Sequence, residues 1–335
     1  MLLSYCAVSH LLTDALCAAT LFGQMSGRAD FFMILIVYNT LAFSTQAIVG
    51  LMADRRPALQ PWCAGGAMAL LALGFFLPLP AYPKTVLIGL CNSVFHVAGG
   101  VLILLRSGGK AKKLGVFVAP GAIGLTLGTL FPAYGVWFAA AILAAAALLI
   151  PIARREAPLT IEQTPEPEKP LLPVLLLTFA VAVRAIGGGA VLFPWKSGAA
   201  LTMLLTSFVF LGKCAGGFLC DAIGPKRSAA VSILPAIPLI LFCAAWIVPS
   251  LFGQFAINLT MPVTLWLLYL EMPRSPGFAF GLAASALWPG TLAGGILKLE
   301  GLLQQLVVGL CFLFALFAIV FAVHHLRKNG KERSL

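Results

Sequence analysis

GLMADRR at 50–56 and GFLCDAIGPKR at 217–227 share one short pattern: a glycine, three residues, an aspartate, then basic residues. The two copies stand 167 residues apart, and each closes a long apolar run. Working outward, charges, prolines and glycines cut the chain into apolar runs at about 2–23, 31–52, 60–80, 84–105, 114–131, 133–152, 171–193, 199–220, 228–248, 250–270, 278–297 and 302–323. A spanning helix takes about 20 apolar residues, so twelve spans use about 240 residues. The chain has 335 residues, which leaves no room for a separate soluble domain. Hydrophobic residues make up 61% and charged residues 10%, with a mean hydropathy of +1.01. Soluble domains have about 45–50% apolar and about 25% charged residues. A soluble enzyme, a disordered chain and a collagen-like chain are thereby excluded. Unbroken apolar runs also argue against a transmembrane barrel, which needs alternation. The expected class is an all-α integral membrane protein with twelve transmembrane helices.

The repeat extends beyond the opening pattern. Leu21-Phe22 with Ser26-Gly27 recurs as Leu192-Phe193 with Ser197-Gly198. Gly115 and Gly128-Thr129-Leu130 recur as Gly277 and Gly290-Thr291-Leu292, and Asn92 is echoed by Asn258. Between the sixth and seventh runs lies RREAPLTIEQTPEPEKP (154–170), with four prolines and four glutamates, which reads as an exposed linker. The expected organisation is a six-helix bundle over 1–153, a cytoplasmic linker over 154–170, a second six-helix bundle over 171–326 and a basic tail over 327–335. Parallel repeats of this kind imply two bundles packed around a central path. The formal charge of +11 does not call for nucleic acid. With both termini inside, sixteen Lys and Arg fall in cytoplasmic segments and four in outer loops, Lys84 and Lys298 among the four. That bias predicts cytoplasmic N- and C-termini in a multi-pass protein of the inner membrane. The eight cysteines fall almost all in apolar runs, without a CxxC, and read as buried hydrophobes rather than a disulfide framework. The first run carries His10 and Asp14 and reads as a retained helix, not a signal peptide.

The loop after the second run and its echo resemble the GxxxDRxGRR signature of the major facilitator superfamily of secondary transporters. Within that superfamily the chain is similar to the fosmidomycin-resistance-like branch. The similarity rests on SHLLTD (9–14), NSVFHVAGG (92–100), APGAIGLTLG (119–128) and AVRAIGGG (182–189). The superfamily resemblance implies alternating access between two bundles. The branch resemblance implies proton-driven efflux of small polar compounds.

Ionisable groups deep in a span are functional candidates because their burial in lipid is costly. Asp14 is the only acid well inside a run. It lies about 12 residues in, or about 18 Å at about 1.5 Å per residue, near the midplane. His10 is one turn earlier, so the two share a face. Such a pair passes a proton, holds a cation or makes a structural hydrogen bond. Arg184 lies at similar depth in the seventh run and aligns by the repeat with Thr13. It is expected to pair with Asp14 or to clamp an anion, since arginine stays charged. His96 is deep in the fourth run with Asn92 one turn away; together they form a polar patch, the bland alternative being a satisfied core histidine. Lys213, whose repeat partner is Gln46, and Asn39, Asn258 and Trp288 complete the candidates for substrate or proton binding. Snorkelling or packing is the plain alternative for these.

Gly50, Asp54 and Arg55, with Gly217, Asp221, Lys226 and Arg227, form the expected gating latch at the inner face. No GxxxxGK followed by Ser or Thr is present, which argues against direct ATP drive. No metal and no cofactor are expected from ligand spacing, and no nucleophile–base pair suggests an enzyme. The leading expectation is a monomeric, proton-coupled antiporter that exports a small polar or anionic solute. The alternatives are a metal-ion carrier using Asp14, His10 and His96, or a non-transporting membrane sensor or assembly factor.

Overall fold

A bilayer core offers no water to backbone N–H and C=O groups, so each apolar run must close its own hydrogen bonds. Each run does so as a helix. The computed structural model describes residues 1–154, 159–161, 164–297 and 299–330. The helices are α1 (Leu2–Gln24), α2 (Phe31–Arg55), α3 (Gln60–Phe76), α4 (Ala81–Leu105), α5 (Lys112–Leu130), α6 (Gly135–Arg154), α7 (Leu171–Ala190), α8 (Gly198–Ile223), α9 (Pro225–Leu241), α10 (Ile247–Glu271), α11 (Pro276–Ile296) and α12 (Gly301–Lys328). No strand occurs among the described residues. Residues 155–158 and 162–163 of the expected linker, Lys298, and residues 331–335 of the expected tail lie outside the described residues.

Eleven helices among the described residues are long and apolar enough to cross a membrane, against the twelve expected. The shortfall is α9. The apolar run suggested 228–248, but the helix spans only 17 residues, Pro225–Leu241. At about 1.5 Å per residue that is about 26 Å, below the hydrocarbon thickness of about 30 Å. Pro235 and Pro238 sit inside it, and each removes a backbone donor and crowds the preceding turn. Proline also interrupts α5, which breaks at Ala119 before Pro120, and α10, which breaks at Leu259 three residues before Pro262. In α2 a π-helical turn covers Thr40–Ser44.

The chain forms two compact units. The first comprises Met1–Arg106, Phe117–Ile161 and Ser275–Gly281, and the second Ser107–Val116, Glu162–Arg274 and Leu282–Leu335. The start of α5 thus groups with later residues, and the start of α11 with earlier ones. Within the first unit, α1 packs on α5 through Gly121, Gly124 and Gly128. A Cβ at Gly124 would strike the Leu11 carbonyl oxygen, and one at Gly128 the Ala15 carbonyl oxygen. Small residues at this spacing let helices approach closely in lipid, where packing replaces the hydrophobic drive. The second unit repeats the device between α7 and α11, where Gly290 faces the Ala182 carbonyl and Gly294 the Ile186 carbonyl.

Hydroxyls within the helices donate to carbonyls four residues back, as Thr20 does to Leu16 (2.7 Å) and Thr178 to Val174 (2.7 Å). That is how short polar side chains are tolerated in helices. Large apolar side chains such as Phe32, Trp137, Leu171 and Phe317 face outward, as a lipid environment requires.

Candidate functional site

The first unit holds a polar centre built from α1, α4 and α5. His10 and Asp14 share a face of α1, and their Nε2 and Oδ2 atoms are 3.3 Å apart. From α4, Asn92 donates through Nδ2 to Asp14 Oδ1 at 3.0 Å. His96 Nε2 lies 3.5 Å from Asp14 Oδ1 and 2.8 Å from His10 Nε2. The rings of His10 and His96 meet edge to face, with centroids 4.4 Å apart. His10, Asn92 and His96 are buried. Asp14 and the two histidines place one ligand-type atom each within 4.8 Å of one another.

The hydrogen bonds fix where the protons sit. His10 Nδ1 is 2.7 Å from the Phe117 carbonyl oxygen, beside the α5 break at Ala119. His96 Nδ1 is 2.9 Å from the Asn92 carbonyl oxygen. A carbonyl only accepts, so both Nδ1 atoms carry hydrogens. In neutral rings both Nε2 atoms are then bare acceptors. Two bare lone pairs repel at 2.8 Å, and one proton on either Nε2 would turn the contact into a hydrogen bond. The Asp14 carboxylate stands where it would balance that charge. Gly121 allows this close approach, because a Cβ there would collide with His10 Nε2 and Asp14 Oδ2.

Arg184 forms a second centre in the other unit. Its Nη1 donates to Thr260 Oγ1 at 2.7 Å and Thr264 Oγ1 at 3.2 Å, and Nη2 lies 3.6 Å from Met261 Sδ. Arg184 is 8% exposed, and these partners are neutral. Arg184 and Asp14 each find the partners named here within their own unit. The carboxylate is held by His10, His96 and Asn92, and the guanidinium by two hydroxyls.

Among the other candidates, two asparagines are committed to their own helices. Asn39 spends its amide on the Leu35 carbonyl (2.7 Å), and Asn258 spends its own on the Gln254 carbonyl (2.8 Å). Lys213 on α8 and Trp288 on α11 are half-buried. Gln46 is buried and donates to the Ala42 carbonyl.

The two copies of the opening pattern each grip the start of a helix. In the first unit Asp54 accepts from the backbone N–H groups of Gly277 (2.6 Å) and Phe278 (2.8 Å), at the start of α11. Gly50 makes room for this, since a Cβ there would overlap the Gly277 carbonyl. In the second unit Asp221 accepts from Ala111 (2.8 Å) and Lys112 (3.2 Å) at the start of α5, and a Cβ at Gly217 would meet the Ala111 carbonyl. The aspartates thus satisfy orphan amides and the positive end of the helix dipole. Arg55 is exposed; Lys226 and Arg227, with Arg327 and Asp221, line a cavity of about 510 Å³. Asp54→Asn and Asp221→Asn remove the charge from these caps, at a cost of roughly 1–2 kcal/mol. That corresponds to a factor of roughly 5–30 in the opening of each contact. Cysteines at Ser275 and Ser107 should be alkylated faster by that factor in the respective mutants. Unchanged labelling would reduce these aspartates to helix-end charges.

Sequence reasoning missed two charged groups. Glu271 is fully buried at the end of α10, with both carboxylate oxygens 3.1 Å from His325 Nδ1. His325 Nε2 faces the Glu168 carbonyl oxygen at 2.8 Å. The Asn329 amide nitrogen also lies 3.4 Å from His325 Nε2. The available signal was an acid at the edge of an apolar run in a chain with only eleven acids. Lys84, assigned above to an outer loop, lies inside α4 and is buried; its Nζ donates to Gln24 Oε1 at 2.8 Å.

No protein-family model matches the chain, and no curated protein matches it in sequence. Solved structures do share its fold. The E. coli fucose:proton symporter FucP aligns with a TM-score of 0.69 at 13% identity, covering 95% of this chain and 97% of that one. A bacterial homologue of the iron transporter ferroportin, in an outward-facing state, gives 0.60 at 13% identity, covering 99% and 100%. The human organic anion transporter MFSD10 gives 0.62 at 14% identity, covering 95% and 98%. At these identities the likeness establishes the architecture alone, an architecture shared with FucP in an outward conformation, a structure described as a major facilitator superfamily transporter.

Proposed function

We propose that this protein is a proton-coupled secondary transporter of a small anionic or polar solute, not an enzyme, working by alternating access. The observation that carries the reading is the pair of imidazole Nε2 atoms 2.8 Å apart with both Nδ1 hydrogens committed elsewhere. A proton held there beside Asp14 is a store that solute movement can load and discharge. Arg184 supplies the second requirement: a buried cation with neutral partners is costly unless an anion joins it. A metal-ion carrier would use the same three side chains of the first unit, but it gives Arg184 no role. A sensor or assembly factor gives neither centre one. Fucose:proton and organic anion transporters share the fold, which agrees with this assignment. Export follows from the branch resemblance of the sequence. Both termini on the cytoplasmic side of the inner membrane follow from the charge bias.

The test is a thermal-shift screen of purified protein against metabolites and drugs at two pH values. Stabilising compounds should be enriched in anions. Arg184→Lys keeps the charge but loses the planar fork, so it should weaken them, and Arg184→Ala should abolish them. Cationic compounds whose effect survives Arg184→Ala would sink the anion reading.

A further inference from the structure

We propose that His10, Asp14 and His96 form a binding site for a divalent transition-metal ion of the zinc class, seated where a proton would otherwise join the two imidazoles. This deepens the reading of the same centre and rests on it only for the location of the site.

Three features carry the proposal. First, the ligand atoms converge. Zinc bonds to imidazole nitrogen and carboxylate oxygen are about 2.0–2.2 Å, which puts neighbouring ligand atoms in a tetrahedral site about 3.4 Å apart. Asp14 brackets the two nitrogens with its two oxygens, Oδ2 3.3 Å from His10 Nε2 and Oδ1 3.5 Å from His96 Nε2. One ligand atom from each residue lies within 4.8 Å of the others, so a turn of the carboxylate is needed to offer a single oxygen to an ion. The Nε2–Nε2 contact of 2.8 Å needs to open by only about half an ångström. Second, the outer partners are those a metal site uses. Each histidine gives its Nδ1 hydrogen to a backbone carbonyl, which fixes the tautomer and aims the Nε2 lone pair inward. Asn92 holds the carboxylate by a hydrogen bond in the same way. Third, there is a close approach and an unmet polar atom. The missing Cβ of Gly121 lets His10 Nε2 and Asp14 Oδ2 come together against α5. Asn92 Oδ1 is buried with no hydrogen-bond partner, so a water on the ion's fourth position would satisfy it. Two imidazoles and one carboxylate with an open position suit zinc, cobalt and related ions rather than magnesium or calcium.

The experiment uses the full-length protein in detergent with Co²⁺ alone, then Zn²⁺ as competitor. Wild type should bind one Co²⁺ and show the visible absorption of a tetrahedral ion, which Zn²⁺ removes. X-ray absorption on wild type should show only nitrogen and oxygen neighbours with two imidazoles. That measurement needs no variant and separates this site from one built on the eight free cysteines. His10→Gln and His96→Gln should weaken Co²⁺ by more than about 100-fold, the upper end of what loss of an outer partner does. Sulfur neighbours, binding that survives both variants, or no binding by wild type would each overturn the proposal. None of these readouts involves flux. Failure here therefore leaves the transport reading standing, and failure of proton-coupled flux leaves this site to be judged separately.

Discussion

Asp14→Asn protein in proteoliposomes will exchange solute across the bilayer but will not accumulate it against a gradient. Asparagine keeps the shape of the side chain and still offers Asn92 an acceptor in place of the 3.0 Å bond to Oδ1. What it removes is the negative charge that balances a proton between His10 and His96. Without that counter-charge, a charged imidazole buried in lipid carries the full desolvation cost of an unpaired ion, and the pair will shed its proton. Net proton movement then stops, whereas solute-for-solute exchange needs none. The measurement is flux with an imposed pH gradient, beside exchange of labelled solute without one. The solute is the strongest stabilising anion from the thermal-shift screen. Accumulation should fall to the level of empty vesicles. Accumulation at the wild-type level would remove Asp14 from the coupling centre.

The second large effect is structural. Gly124→Ala should fold poorly, and Gly124→Leu should fail to give folded protein. The added Cβ lands on the Leu11 carbonyl oxygen, a backbone atom that cannot rotate away. Overpacking by one methylene typically costs about 1–3 kcal/mol, and here relief requires moving α1 from α5. That displacement would also pull His10 from the Phe117 carbonyl, so both the melting temperature and the polar centre should suffer. Gly188→Ala is the control, because nothing lies within 4 Å of its added Cβ. Melting temperatures in detergent decide the matter, and equal shifts for Gly124→Ala and Gly188→Ala would mean that the α1–α5 seam is not tightly packed.

Much of the fold was legible because lipid imposes one rule, an apolar run that satisfies its own backbone. The runs recover most of the helices with ends shifted by a few residues. The run at 228–248 misled because apolarity continues past Leu241 while the helix does not, and composition carries no stop signal there. Half of the polar centre was legible too. His10 and Asp14 show their shared face by spacing alone, and Asn92 and His96 show theirs. Their meeting was not legible, since it depends on the Phe117 carbonyl beside a proline break and on the bare face of Gly121. Arg184 was found by its depth, but its threonine partners were not, because hydroxyls 76 and 80 residues away gave no periodic signal. The Glu271–His325 pair, 54 residues apart, was invisible for the same reason.

The exchanged helix starts bear on how the chain is made. The first unit includes Ser275–Gly281, so its Asp54 cap has no amides to hold until that segment has been synthesised. About 110 residues separate Ile161 from Ser275, which at about 5–20 residues per second is roughly 6–20 s of translation. During that interval Gly50 and Asp54 lack their partner. A chain truncated before Ser275 would leave the Asp54 carboxylate without the two backbone amides that it holds in the finished protein.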